Sequence, residues 1–139
     1  MAAEPSTTYQ GFAIANARDL VTTHKSQLKA IDVTNINAAI RFFQLWDRNA
    51  ALTGGEVGTG PTPYGAAVPA SAAAQLRVIS FMIPAGSATA PARLTLDENW
   101  LAGVEYFDLG IAWGFSSAAQ TYTAGTAADH SVTLRFRHA

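Results

Sequence analysis

Hydrophobic and polar positions alternate with a period of two along much of this chain, most cleanly near its end. Leu109, Ile111, Trp113 and Phe115 are bulky, whereas the interleaved Gly110, Ala112, Gly114 and Ser116 are nearly bare. Val132, Leu134 and Phe136 likewise alternate with Ser131, Thr133, Arg135 and Arg137. Successive side chains of a strand point to opposite faces, so both segments read as strands with one face in a core. From Phe12 onward, short runs of β-branched, aromatic and aliphatic residues are separated by Gly, Pro, Asn, Ser and Asp, the punctuation of strands and turns. The pattern predicts strands at 11–15, 19–23, 27–34, 39–46, 75–83, 93–97, 104–107, 109–116 and 131–137. Helical spacing is sustained nowhere. So many strands in one small domain point to a sandwich, a jelly roll or a closed barrel, and the fold expected here is an all-β, antiparallel, jelly-roll-like β-sandwich.

Two of these segments are apolar on both faces. In 40–46, Ile40, Phe42 and Trp46 point one way while Phe43 and Leu45 point the other. In 76–83, Leu76, Val78 and Met82 oppose Ile79, Phe81 and Ile83. An antiparallel sheet usually keeps one face wet, so a second apolar face implies cover, from the chain itself or from another subunit. Between them, residues 48–74 form a Gly-, Ala- and Pro-rich stretch with a lone Tyr64, too long for a simple hairpin. It reads as an arm lying on a neighbour or as a long surface loop. Residues 1–10 are small and polar enough for an extended N-terminal arm, leaving 11–139 as one domain.

Composition sharpens the need for cover. The 139 residues are 49% hydrophobic but only 14% charged, against about 25% charged in an average soluble domain. A net charge of −1 provides no basic footprint for nucleic acid. With no cysteine, there is no disulfide framework, thiolate metal site or thiol nucleophile. No window resembles a membrane span, and the opening MAAEPSTTYQ lacks the basic and apolar regions of a signal peptide. The expectation is a cytosolically made protein without nucleic-acid or membrane partners.

The search for chemistry ends without a site. His24, His130 and His138 lie in no two-ligand spacing, and the adjacent Asp129 and His130 read as turn residues entering the last strand. Ser116 and Ser117 lack the G-x-S-x-G elbow. Asp97, Glu98, Glu105 and Asp108 read as turn charges and not as a glycosidase pair. Gly54, Gly55, Gly58 and Gly60 have no Lys-Ser or Lys-Thr after them, so no phosphate loop is present. The expected catalytic, cofactor and metal residues are therefore none, and the chain is not expected to be an enzyme. A small hydrolase using His130 is the least favoured alternative. Trp46, Trp100, Trp113, Tyr106 and Tyr122 read as core or interface anchors, with a carbohydrate-stacking platform as the competing view.

Three phrases, NINAAIRFFQLWD at 35–47, VISFMIPAG at 78–86 and YFDLGIAWGFSSAAQTYTAGTAADHSVTLRFR at 106–137, resemble small structural proteins of tailed bacteriophages, in particular head decoration (cement) proteins. The resemblance spans the chain from Asn35 to its end and implies a β-sandwich or jelly-roll body. It also implies a homo-oligomer, such as a trimer, on the virion's capsid surface, with the major capsid protein as partner. Tail or baseplate membership, and a carbohydrate-binding jelly roll for host adsorption, are the alternatives. The residues expected at a protein interface are Tyr9 in the N-terminal arm, Phe42 and Trp46 on the second apolar face, Tyr64 in the long arm, and Arg135 and Arg137.

Overall fold

The computed structural model describes residues 6–12, 14, 17–53, 78–101, 106–118, 122–123 and 129–138. Among them are the strands β1 (Thr7–Phe12), β2 (Arg18–Thr22), β3 (Ser26–Asn35), β4 (Arg41–Asp47), β5 (Val78–Ile83), β6 (Ala92–Leu96), β7 (Tyr106–Phe107), β8 (Ile111–Ser116) and β9 (His130–His138). They form two antiparallel sheets, ordered β1-β9-β3-β6 and β2-β8-β4-β5, with the short β7 pairing with β3 beside β6. Pairs β1–β9, β2–β8, β3–β6 and β4–β5 make up one long antiparallel ribbon. Coiling that ribbon brings β9 against β3 and β8 against β4, which is the jelly-roll topology.

The core lies between the sheets, where the alternating apolar sets meet. Leu28, Ile31, Val33, Val132, Leu134 and Phe136 of one sheet face Phe43, Leu45, Ile79, Ile83, Ile111, Trp113 and Phe115 of the other. Packing at this interior density holds the fold without covalent staples. Leu28 and Ile31 both point inward although three residues apart, which strict alternation forbids. A β-bulge between Leu28 and Ala30 absorbs the extra residue and turns Asp32 out to solvent.

The first strand and the start of the eighth depart most from the periodic reading. The first strand lies at Thr7–Phe12 and not at 11–15, so residues 7–10 of the expected arm are an edge strand paired with β9. Residues 1–5 of that arm lie outside the described residues. Leu109 belongs to a bend and is exposed, because Asp47 receives the backbone N–H groups of Asp108 and Leu109 at 3.0 and 2.8 Å and turns the chain there. Gly110 follows with φ +154°, where a Cβ would collide with the carbonyl oxygens of Thr22 and Arg48. Most of the 48–74 stretch and the 75–77 start of the fifth strand also fall outside the described residues.

Candidate functional site

Among the described residues, two polar networks reach into the sandwich from its strands. The first joins the sheets through Tyr9 on β1. Its hydroxyl donates to Asp19 Oδ2 of β2 at 2.6 Å and accepts from Trp113 Nε1 of β8 at 3.0 Å. Burial, followed by the bond to the Asp19 carboxylate, pushes the phenol's pKa well above its ordinary value. Tyr9 is therefore a half-buried tie between the sheets, on the edge strand β1.

The second network surrounds Asp129 and His130. The Ile14 N–H donates to His130 Nε2 at 3.1 Å, so Nε2 is an acceptor and the proton resides on Nδ1, facing Asp129 Oδ1 at 3.1 Å. The other carboxylate oxygen accepts from Asn37 Nδ2 at 3.2 Å and Arg41 Nε at 3.4 Å. The imidazole is enclosed against Trp113 and Phe115. This Asp–His hydrogen bond links adjacent residues, with Asp129 in the bend before β9 and His130 opening the strand. It has the first two members of a triad without the use of one. The nitrogen that would take a substrate proton is already occupied by a backbone amide.

The outer faces of the two sheets differ sharply. On β1-β9-β3-β6, Thr8, Gln10, Ser131, Thr133, Asp32, Thr34, Arg93 and Thr95 share a face by register. Arg93 forms a bidentate ion pair with Asp32, Nε to Oδ1 at 2.8 Å, and this bond holds the Asp32 carboxyl below its usual pKa. Where Ala30 leaves room, a shallow depression of about 240 Å³ is lined by Thr8, Ala30, Ile31, Asp32, Thr95, Thr133 and Arg135.

On β2-β8-β4-β5 the outer face carries Trp46, Phe42, Leu20 and Met82 with Gln44, Ser80 and Ser116 among them, and it is largely roofed by the chain itself. Trp46, at 0% exposure, packs with Leu52, Ala112, Tyr122 and Leu20. Gly114 makes this close approach possible, since a Cβ there would sit 2.5 Å from the Tyr122 ring and 2.7 Å from Leu52 Cδ1. Tyr122 is pinned by its hydroxyl, which donates to the Ala17 carbonyl at 3.3 Å, and the Leu52 segment by Arg18 Nη1 on the Thr53 carbonyl at 2.8 Å. Ser116 Oγ accepts the N–H groups of Ala118 and Thr123, and Gln44 bonds the Ala118 carbonyl at 2.7 Å. The roof stops short of one end. Met82 is 58% exposed, Ile40 and Pro84 are exposed, and Phe42, opposite Met82, is half-buried. Asn35 Nδ2 holds this end together by donating to the Ala39 and Pro84 carbonyls.

The expected interface residues thus separate. Trp46 is buried beneath the chain's own Leu52 and Tyr122. Phe42 remains partly open. Arg135 is exposed on the polar face, and Arg137 is half-buried with Nε bonded to Gln27 Oε1 at 2.8 Å. Tyr64, Glu105 and the Gly54–Gly60 glycines lie outside the described residues. The aromatics do not converge into a platform, because Trp46, Trp113 and Tyr122 are buried while Trp100 stands 75% exposed in the turn that Asp97 organises. Glu98 pairs with Lys29 and Asp108 with Lys25. Sequence reasoning overlooked Asp19, Asn35 and Arg41. A polar residue at an inward-facing strand position was the available signal for Asp19.

Among the described residues there is no group of three or more metal-binding side chains, and no helix is long and apolar enough to cross a membrane. In comparisons with known proteins, the chain matches no family model, no curated protein and no solved structure.

Proposed function

We propose that this chain is a structural virion protein that binds the outside of a bacteriophage capsid as a homo-oligomer and reinforces contacts between coat subunits, with no catalytic role. The observation that carries the protein-binding part is the uncovered end of the β2-β8-β4-β5 face. Ile40, Phe42, Met82 and Pro84 form an apolar strip beside β5, the last strand of its sheet among the described residues, continuous with a surface that the chain otherwise covers with its own residues. Uncovered apolar surface of this kind favours association, and symmetry multiplies modest contacts. The phage assignment rests on the resemblance of 35–47, 78–86 and 106–137 to head decoration proteins, two of which contribute residues to this strip.

The test is sedimentation of the full chain alone and with purified phage capsids. An oligomer that co-sediments with capsids, and that Ile40→Lys with Met82→Lys reduces to a non-binding monomer of unchanged circular dichroism, is the expected result. A wild-type monomer that ignores capsids overturns the proposal. Immunogold labelling of intact particles distinguishes the capsid surface from a tail or baseplate position.

The shallow depression on the opposite face, where Thr8, Thr95 and Thr133 meet Asp32 and Arg135, favours a second reading, a carbohydrate-binding adsorption module. Its hydroxyls, Asp32 and Arg135 are the donors and acceptors a saccharide requires. Glycan-array binding that Arg135→Ala abolishes, with the apolar strip intact, decides for this reading over the first.

A further inference from the structure

The fold brings together two histidines that are 114 positions apart in the sequence. His24 lies in the bend between β2 and β3, and His138 is the last residue of β9. Their rings lie with centroids 4.9 Å apart and planes tilted by 38°, and both residues are exposed. The placement follows from strand pairing: Ser26, at the start of β3, is the register partner of His138, and the bend carries His24 back over it. We propose that His24 and His138 form a surface chelate for a borderline divalent transition ion such as Zn²⁺ or Ni²⁺.

The separation suits such an ion. Imidazole nitrogens bind zinc at about 2.0–2.1 Å, which puts the metal about 3.2 Å from each ring centre. Two such rings at a tetrahedral angle then have centroids about 5 Å apart, and slightly closer at a right angle. The observed spacing falls at this value, so rotations about the side-chain bonds suffice to aim one nitrogen of each ring at a common point. The surroundings are permissive too. Thr22 Oγ1 lies 3.1 Å from His138 Nε2 and accepts the His24 backbone N–H at 3.2 Å. It thereby orients His138 from one side and leaves Nδ1 for the metal, in the manner of an outer-shell partner. Lys25, the adjacent cation, is paired with Asp108 at 3.6 Å. Water completes the coordination. The third histidine, His130, does not compete, because both of its ring nitrogens are engaged in the interior.

A bound ion would staple the end of β9 to the β2–β3 bend, closing one corner of the jelly roll. Since only neutral imidazole ligates, acidification opposes binding. The test is calorimetric titration of the untagged full chain with ZnCl₂ and NiCl₂ near neutral pH, together with side-chain ¹⁵N spectra of the histidines. The expected result is 1:1 binding that moves the ring nitrogens of His24 and His138 together and leaves those of His130 in place. Loss of an outer-shell partner alone costs about 10–100-fold in metal affinity. Accordingly, His24→Ala and His138→Ala are each expected to weaken binding at least about tenfold, and to abolish the rise in melting temperature that the metal produces. Because both side chains are exposed, the variants keep the fold, which their circular dichroism verifies. Binding that survives in either single variant, or no heat at about 1 mM metal, overturns the chelate.

Discussion

The outer faces of the two sheets are built on the same strand geometry and meet opposite fates. On β1-β9-β3-β6 the outward positions are mostly polar, with threonines, Ser131, Gln10, Arg135 and an Asp32–Arg93 ion pair beside one exposed Phe12, and they face solvent. On β2-β8-β4-β5 the outward Trp46, Ala112 and Gly114 are sealed under Leu52 and Tyr122. One face is finished by solvent and the other by the chain's own loops, except at the Ile40–Met82 end. A sandwich with one self-roofed face has, in effect, a third layer. Stability should then be unevenly distributed, with outward positions on one sheet behaving as core and those on the other as surface.

The largest expected break of that contrast is Trp46→Ala. Truncating a buried tryptophan costs about 3–5 kcal/mol, whereas Thr133→Ala on the opposite outer face should stay within about 0.5 kcal/mol. Urea denaturation of both variants checks this. Equal losses would mean that the roof over Trp46 contributes nothing.

Gly114→Ala probes the roof from below. The new methyl would enter the space of the Tyr122 ring and Leu52, and overpacking of this kind costs about 1–3 kcal/mol. Loss of stability accompanied by new protease sensitivity around residues 52 and 122 is expected. The reading fails if Gly114→Ala is neutral.

Tyr9→Phe tests what ties the two sheets together inside. It leaves the Asp19 carboxylate oxygen and Trp113 Nε1 without their mutual partner, a cost of about 1–3 kcal/mol. The pH dependence follows from the raised phenol pKa. Above the ordinary tyrosine value of about 10, an unfolded chain releases this proton while the folded one retains it. The stabilisation from Tyr9 is thus complete below about pH 10 and declines as pH rises further. Thermal melts should show the wild type losing stability above pH 10 more steeply than Tyr9→Phe.

What the sequence displayed of this arrangement was the part governed by local period. Leu45 and Phe43 opposing Trp46 and Phe42 was legible because alternation records both faces, and the number of such strands pointed to an all-β sandwich or barrel, whereas the strand order that makes it a jelly roll depends on pairings distant in sequence. That Trp46 needed cover was legible; that Leu52 and Tyr122 supply it was not, since each is a lone apolar residue in Gly-, Ala- and Thr-rich text. The bulge at Leu28–Ala30 was hidden because a single extra residue looks like an ordinary break in alternation. The Tyr9–Trp113 bond joins residues 104 positions apart and the Ile14–His130 bond 116. Tyr9 therefore read as arm and His130 as turn. The His24–His138 pair escaped for the same reason, as ligand spacing along a chain says nothing about strands that meet only after coiling.

The smallest expected effect lies on the wet face. Hydrogen bonding from Arg93, reinforced by charge attraction, lowers the Asp32 pKa. A carboxylate so held adds stability above its unfolded value of about 3.9 and loses it as pH falls through the lower folded value. Arg93→Gln should therefore remove a slight acid-induced loss of melting temperature below about pH 4, and added salt should shrink the wild-type effect, because exposed ion pairs are screened. Neither change should alter protease sensitivity at the roofed face. If Arg93→Gln instead destabilises the chain as much as Gly114→Ala, the polar face is bearing structural load and the division between a wet face and a self-covered face is wrong.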